Sequence, residues 1–345
     1  MNPDFLVSFP GLGIENLPIN RRAFSIFGMP VYWYGLLIAI ALILCMLLAM
    51  RHASAHQLKS DDVLDIFIAV IPLMIVFARL YYVVLEWDSF KDNILSIVDT
   101  RRGGLAFYGG VIGGALGILL VTRLKKKPIS RLLDFLAVYV PLGQAIGRWG
   151  NFFNQEAFGN NTTLPWGMIS NQTTAYLQSV RIAGVDPFKP VHPTFFYEFI
   201  ANLIIFVILL RLRKTAKTPF TVTLWYLLLY GFVRFFVEGI RTDPLMIGTT
   251  GIRASQLLSA LMVIGAIVLL PILRHRRLKR EFAVALSAEM AFRPDQSNEG
   301  GPVSDFIEIS DSDLREESPE PDPAISTDDQ VSADFPEEQT EGLDD

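Results

Sequence analysis

Apolar residues in this chain come in long unbroken runs, not in the short alternations of a soluble fold. A helix needs about 20 consecutive apolar residues to cross a bilayer. The runs predict spans near Tyr32–Met50, Val63–Leu85, Gly104–Thr122, Leu132–Ile146, Thr194–Leu210, Thr218–Val237 and Ala254–Ile272. The fourth is short, and a short run followed by glycine often belongs to a broken helix lining a cavity. Residues 1–30 are mixed, with Pro10, Gly11, Gly13 and Pro18, and are expected to form an irregular or amphipathic lead-in. The first run begins near Val31, too late and too long for a cleaved signal peptide. The expected class is an all-α integral membrane protein of about seven transmembrane helices.

Charge adds orientation. Basic residues gather after the first, third, fifth and seventh runs: Arg51 and Lys59; Arg123 to Arg131; Arg211 to Lys217; Arg274 to Arg280. Such segments face the cytoplasm. The N-terminus and the 151–192 and 238–253 loops are then expected outside, and the C-terminus inside. From Glu281 onward 20 acidic residues stand against Arg293 and Arg315, while residues 1–280 carry a net charge of +13. The expected organisation is a polytopic membrane catalytic domain over 1–280 and a disordered, acidic cytoplasmic tail over 281–345.

With that topology the costly polar groups fall in the outer half of the spans. Tyr34, Tyr108 and Glu198 begin inward spans. Arg79, Arg148, Tyr230, Arg234 and Glu238 end outward ones. Independent snorkelling would scatter them, so their convergence predicts one polar pocket opening to the outer leaflet. Tyr230, Arg234, Glu238 and Arg241 are spaced four, four and three, within about 80° of one helix face. Arg234 and Glu238 can pair. Arg148 and Arg79 have no acid partner near them in sequence, and surplus guanidinium in a membrane pocket suits a phosphate. The glycines from Gly103 to Gly117 predict close helix packing. Tyr108, held between them, is either a packing aromatic or a phenol in the pocket. Cys45 has no intrachain partner, so neither a disulfide framework nor a cysteine metal site is expected. There is no HExxH, P-loop or dinucleotide fingerprint, and the basic runs read as topology signals, not as a nucleic-acid surface.

The stretch Gly147-Arg148-Trp149-Gly150-Asn151-Phe152-Phe153-Asn154-Gln155-Glu156-Ala157-Phe158-Gly159 resembles the signature of the bacterial prolipoprotein diacylglyceryl transferases. Tyr32–Leu36, His192–Glu198, Tyr230–Glu238 and the glycine-rich Gly103–Gly114 are similar to further blocks of that family, in the same order. The resemblance runs from about Tyr32 to about Leu270 and leaves the acidic tail outside. It implies transfer of a diacylglyceryl group from phosphatidylglycerol to the lipobox cysteine of a prolipoprotein, in the bacterial inner (plasma) membrane, with neither metal nor cofactor. By motif match Arg148 and Arg234 would hold the lipid phosphate. Asn151, Glu156 and Gly159 would shape the site, and Tyr34, Tyr230 and Glu238 would complete it. Asn154, His192, Glu198 and Arg79 are further candidates for contact with substrate. One departure stands out. The family often carries histidine, a proposed base, where this chain has Tyr108, and a phenol with an ordinary pKa near 10 is a poor base at neutral pH.

The chief alternative is a transporter or scramblase for an anionic lipid or metabolite. It needs access from both faces, and the sequence offers neither polar residues in the inner half nor an inverted repeat. Metal-assisted ester hydrolysis is weakened by the lack of clustered metal ligands.

Overall fold

The computed structural model describes residues 5–100, 103–247 and 250–292. Nine helices carry most of them: α1 (Trp33–Ala53), α2 (Ser60–Leu85), α3 (Phe107–Lys125), α4 (Ile129–Ala137), α5 (Tyr139–Asn154), α6 (Asn171–Val180), α7 (Thr194–Thr215), α8 (Thr221–Ile240) and α9 (Ala254–Phe292). Six are long and apolar enough to cross a membrane, and the bent pair α4–α5, counted as one span, brings the number to seven. The chain is a multi-pass, mostly helical membrane protein.

Helix ends follow local chemistry. α2 opens on Asp61 and Asp62, and the Asp62 carboxylate accepts the Lys59 amide at 3.0 Å, a favourable placement at a helix N-terminus. α3 starts at Phe107, later than the apolar run predicts, because Gly103 and Gly104 hold φ of +90° and +80°. The short fourth run is the bent pair: α4 and α5 meet at Val138 with a 40° change of direction. α5 continues to Asn154, so Arg148 and Asn151 stand on helix, not in a loop. α9 runs on to Phe292, past the tail boundary expected at Glu281. The rest of the expected disordered tail, from residue 293, lies outside the described residues.

The lead-in is not irregular. β1 (Phe5–Phe9) and β2 (Ile14–Ile19) pair antiparallel, and β1 also pairs with β5 (Ile169–Ser170). β3 (Arg22–Ile26) and β4 (Met29–Tyr32) form a hairpin that runs directly into α1. Phe5 and Val7 point inward from β1 and pack with Phe152, Phe158, Met168, Leu177, Val191 and Phe195. This second core clamps the ends of α5 and α7 beneath the first sheet.

Within the bundle, α2 and α3 meet along a glycine seam. A Cβ on Gly113 would strike the Leu73 carbonyl and lie 2.9 Å from Phe77 Cβ; one on Gly117 would lie 2.8 Å from Val70 Cα. Polar groups are not confined to one end. Near the opposite, basic end, Asp134 accepts Thr223 N at 2.8 Å, and the Tyr139 hydroxyl meets His52 at 3.0 Å and Arg213 at 3.1 Å. The inner half expected to lack polar residues therefore holds its own pairs, each satisfied locally between neighbouring helices. Gly113→Val should destabilise the protein by about 1–3 kcal/mol through overpacking. Thermal unfolding in detergent should show a lowered midpoint, while Gly265→Ala, whose Cβ would meet nothing within 4 Å, should leave it unchanged.

Candidate active site

At the sheet end of the bundle, α5, α7 and α8 converge on one carboxylate. Glu198 of α7 is 1% exposed. It pairs with Arg148 of α5 and accepts Arg234 Nη1 of α8 at 2.9 Å. Arg234 Nη2 reaches Glu238 Oε2 at 2.6 Å, one turn further along α8. Arg241 follows, bound to Asp243 through two bonds of 2.9 and 2.8 Å. The sequence-based expectation of surplus cation at Arg148 is thus corrected. Its acid partner lies 50 residues on, invisible to local spacing. Guanidinium groups and carboxylates alternate, which is how buried charges become tolerable.

A rim of amides and hydroxyls surrounds this chain of charges. Arg148 Nη1 donates to Asn151 Oδ1 at 3.3 Å. Asn151 Nδ2 donates to Glu156 Oε1 at 2.8 Å, and Asn154 Nδ2 reaches the same oxygen at 3.3 Å. Tyr230 and Tyr34 are both electrostatic neighbours of Arg148. Tyr34 is brought there by Gly150, where a Cβ would lie 2.6 Å from the Tyr34 ring. The ring therefore seats against bare backbone, two residues from Arg148.

Gly159 ties the site's three strands of chain together. Its amide donates to His192 O at 2.9 Å, and the next amide, Asn160, donates to Ile240 O at 2.8 Å. A Cβ at Gly159 would lie 2.9 Å from His192 Cβ and 3.0 Å from Ile240 O. The glycine thus joins the end of α8 to the start of α7 and to the loop after α5. His192 contributes its backbone to this junction. Its ring meets the Tyr197 hydroxyl at 2.9 Å, which in turn accepts from Trp166. Burial lowers the His192 pKa below the usual imidazole value.

Two expected members have contacts of another kind. Arg79 is not a spare cation in this pocket: all its bonds go to backbone carbonyls between Ser96 and Gly104. Tyr108 begins α3, half-buried, with its ring edge against Phe107. Three groups escaped the sequence reading. Arg253 donates to the carbonyls of Glu238 and Arg241 and so fixes the turn after α8. Gln144 donates to the Tyr226 hydroxyl at 3.0 Å, and Tyr226 stacks on Tyr230. Gln144 and Tyr226 each lie four residues before a predicted site residue, so the same helical spacing extended one turn would have found them.

The family model described as prolipoprotein diacylglyceryl transferase matches residues 21–272. A phosphatidylglycerol–prolipoprotein diacylglyceryl transferase of Finegoldia magna is 41% identical over 252 residues, covering 73% of this chain and 94% of that protein. Proteins of the same name from Clostridioides difficile and Enterococcus faecalis are 43% identical over 250 residues and 42% over 268, covering 72% and 76% of this chain and 94% of each relative. The chain therefore belongs to the prolipoprotein diacylglyceryl transferase family.

Proposed function

We propose that this chain transfers the diacylglyceryl group of phosphatidylglycerol to the lipobox cysteine thiol of prolipoproteins, releasing glycerol phosphate, the first step of lipoprotein maturation. The observation that carries this reading is the buried alternation Arg148–Glu198–Arg234–Glu238 at one end of the bundle. A phosphodiester has one negative charge and paired oxygens, which suit a guanidinium fork. Glu198 holds two such forks at fixed separation, so their remaining N–H groups are preorganised before lipid arrives.

The step balances simply. The cysteine thiolate forms a bond to the terminal glycerol carbon of the diacylglyceryl group. The bond from that carbon to the phosphate oxygen breaks, and its electron pair leaves with the phosphate. Charge grows on the departing phosphate, where Arg148 and Arg234 stabilise it. The thiol, ordinarily near pKa 8.5, must first lose its proton. Asn151, Asn154 and Glu156 form the rim that orients the head group. Tyr34 and Tyr230 supply hydroxyls beside Arg148, and Gly159 keeps the three segments in register. Tyr108 serves as a hydrogen-bond donor or a packing ring, not as the base.

The positive-inside pattern supports placing the site at the outer leaflet of the bacterial inner membrane. The basic runs Arg123–Arg131 and Arg211–Lys217 then face the cytoplasm. Lipid donor and lipobox cysteine would meet at that leaflet. Purified protein with radiolabelled phosphatidylglycerol and a lipobox peptide tests the whole reading. Label on the peptide cysteine is expected; its absence with active, folded protein overturns the proposal.

Arg148→Lys and Arg234→Lys keep the charge and lose the planar fork. Each should lower transfer roughly 100-fold or more, the scale of losing one transition-state donor, while membrane insertion persists. Tyr108→Phe separates two roles in the same assay. A phenolate base would cost roughly 100-fold or more on removal; a donor or packing ring should cost far less, and the smaller loss is expected.

A further inference from the structure

Between α2 and α3 the mostly apolar run Ile94-Leu95-Ser96-Ile97-Val98 forms a short 3₁₀ turn, set between Lys91-Asp92-Asn93 and Asp99-Thr100. Its backbone faces one side chain. Arg79 Nε donates to Ile97 O at 2.7 Å. Nη1 donates to Gly103 O at 3.1 Å and Gly104 O at 2.9 Å, and Nη2 to Ser96 O at 2.8 Å and Asp99 O at 3.0 Å. A guanidinium has five N–H groups, and five carbonyls take them. The Phe90 ring covers the guanidinium, 4.9 Å from its carbon. The left-handed Gly104 closes the other side: a Cβ there would run into Arg79 and lie 2.9 Å from the Tyr82 ring.

The depth of this cage matters. At the basic end of α2, Asp62 pairs with Lys127 and Asp65 with Lys125. From Ile66 to Leu85 the helix is largely apolar, about 20 residues and about 30 Å, the thickness of a hydrocarbon core. Arg79 lies about 9 Å of helix rise before Leu85. The returning chain reaches the same level, since Ala106 N donates to Ala78 O at 2.9 Å. Non-helical backbone at that depth is tolerated only where its polar groups are satisfied inside the protein. Arg79 satisfies five of the carbonyls. The side chains point the other way: Ile94, Leu95 and Val98 are 68%, 83% and 81% exposed. They continue the exposed apolar ends of α2 (Val84, Leu85) and α3 (Phe107).

We propose that the Ile94–Val98 turn is a re-entrant element seated among the acyl chains of one leaflet, with bilayer lipid as its occupant and Arg79 as the buried group that makes this possible. In a Cys45→Ala background, Leu95→Cys would carry an environment-sensitive fluorophore, with the full chain in phosphatidylglycerol–phosphatidylcholine vesicles. Nitroxide on lipid acyl chains should quench the label strongly and iodide weakly. The same label on Asp88→Cys, a residue whose side chain is 91% exposed, should respond in the opposite order. Arg79→Leu should release the turn and raise iodide quenching at residue 95 several-fold. Iodide quenching at 95 equal to that at 88, with Arg79 intact, would place the turn in water and overturn the proposal. Shielding from both quenchers would mean a protein contact and would overturn it equally. Both of these outcomes are measured with Arg79 intact, so they stand even if Arg79→Leu does not fold.

Discussion

Glu198 is the constraint on which the rest of the bundle depends. One carboxylate, almost without access to water, is shared by guanidinium groups from two other helices. Removing one partner of a buried pair strands a charge, at a cost of about 3–5 kcal/mol. The start of α7, the last two turns of α5 and the C-terminal part of α8 must therefore stay together. A hydrophobic contact among three helices would tolerate sliding. A shared, hydrogen-bonded carboxylate does not, because hydrogen bonds weaken steeply with angle.

Backbone geometry supports the same arrangement from above. The loop after α5, the start of α7 and the end of α8 exchange amide–carbonyl bonds around Gly159. The Thr194 hydroxyl adds a bond to Ala157 O, and Arg253 holds the carbonyls that end α8. The aromatic core beneath the first sheet packs over the same segments. The charged chain is thus held from below by span packing, at its own level by ion pairs, and from above by a small soluble-like core. Such layered support keeps donors in place without reorganisation when charge develops.

Arg79 shows the opposite use of the same side chain. Arg148 and Arg234 meet carboxylates. Arg79 meets five carbonyls and has no N–H group to spare. All three are costly arginines near span ends by sequence. What separates them is whether the neighbouring chain is helix, whose carbonyls are used internally, or a loop of left-handed glycines, whose carbonyls are free.

By itself the sequence determined the membrane class, the positions of six spans to within a few residues at their packed ends, and the membership of Arg234 and Glu238 in one helix face. These depend on unbroken apolar length and on the helical repeat, which are local properties. The signature from Gly147 to Gly159 likewise marked where the polar site lies. Only the tertiary structure decided that Arg148 is paired and Arg79 is caged, because both partners come from distant or irregular chain. It also decided the β-strands of the lead-in, whose inward residues Phe5 and Val7 are too few to show a period and are buried in a core built from distant segments, Phe152 to Phe195. The same holds for the inner polar pairs such as Asp134 with Thr223, 89 residues apart. An ion pair or a short strand is a relation between segments, and its energy exists only once packing has removed both partners from water.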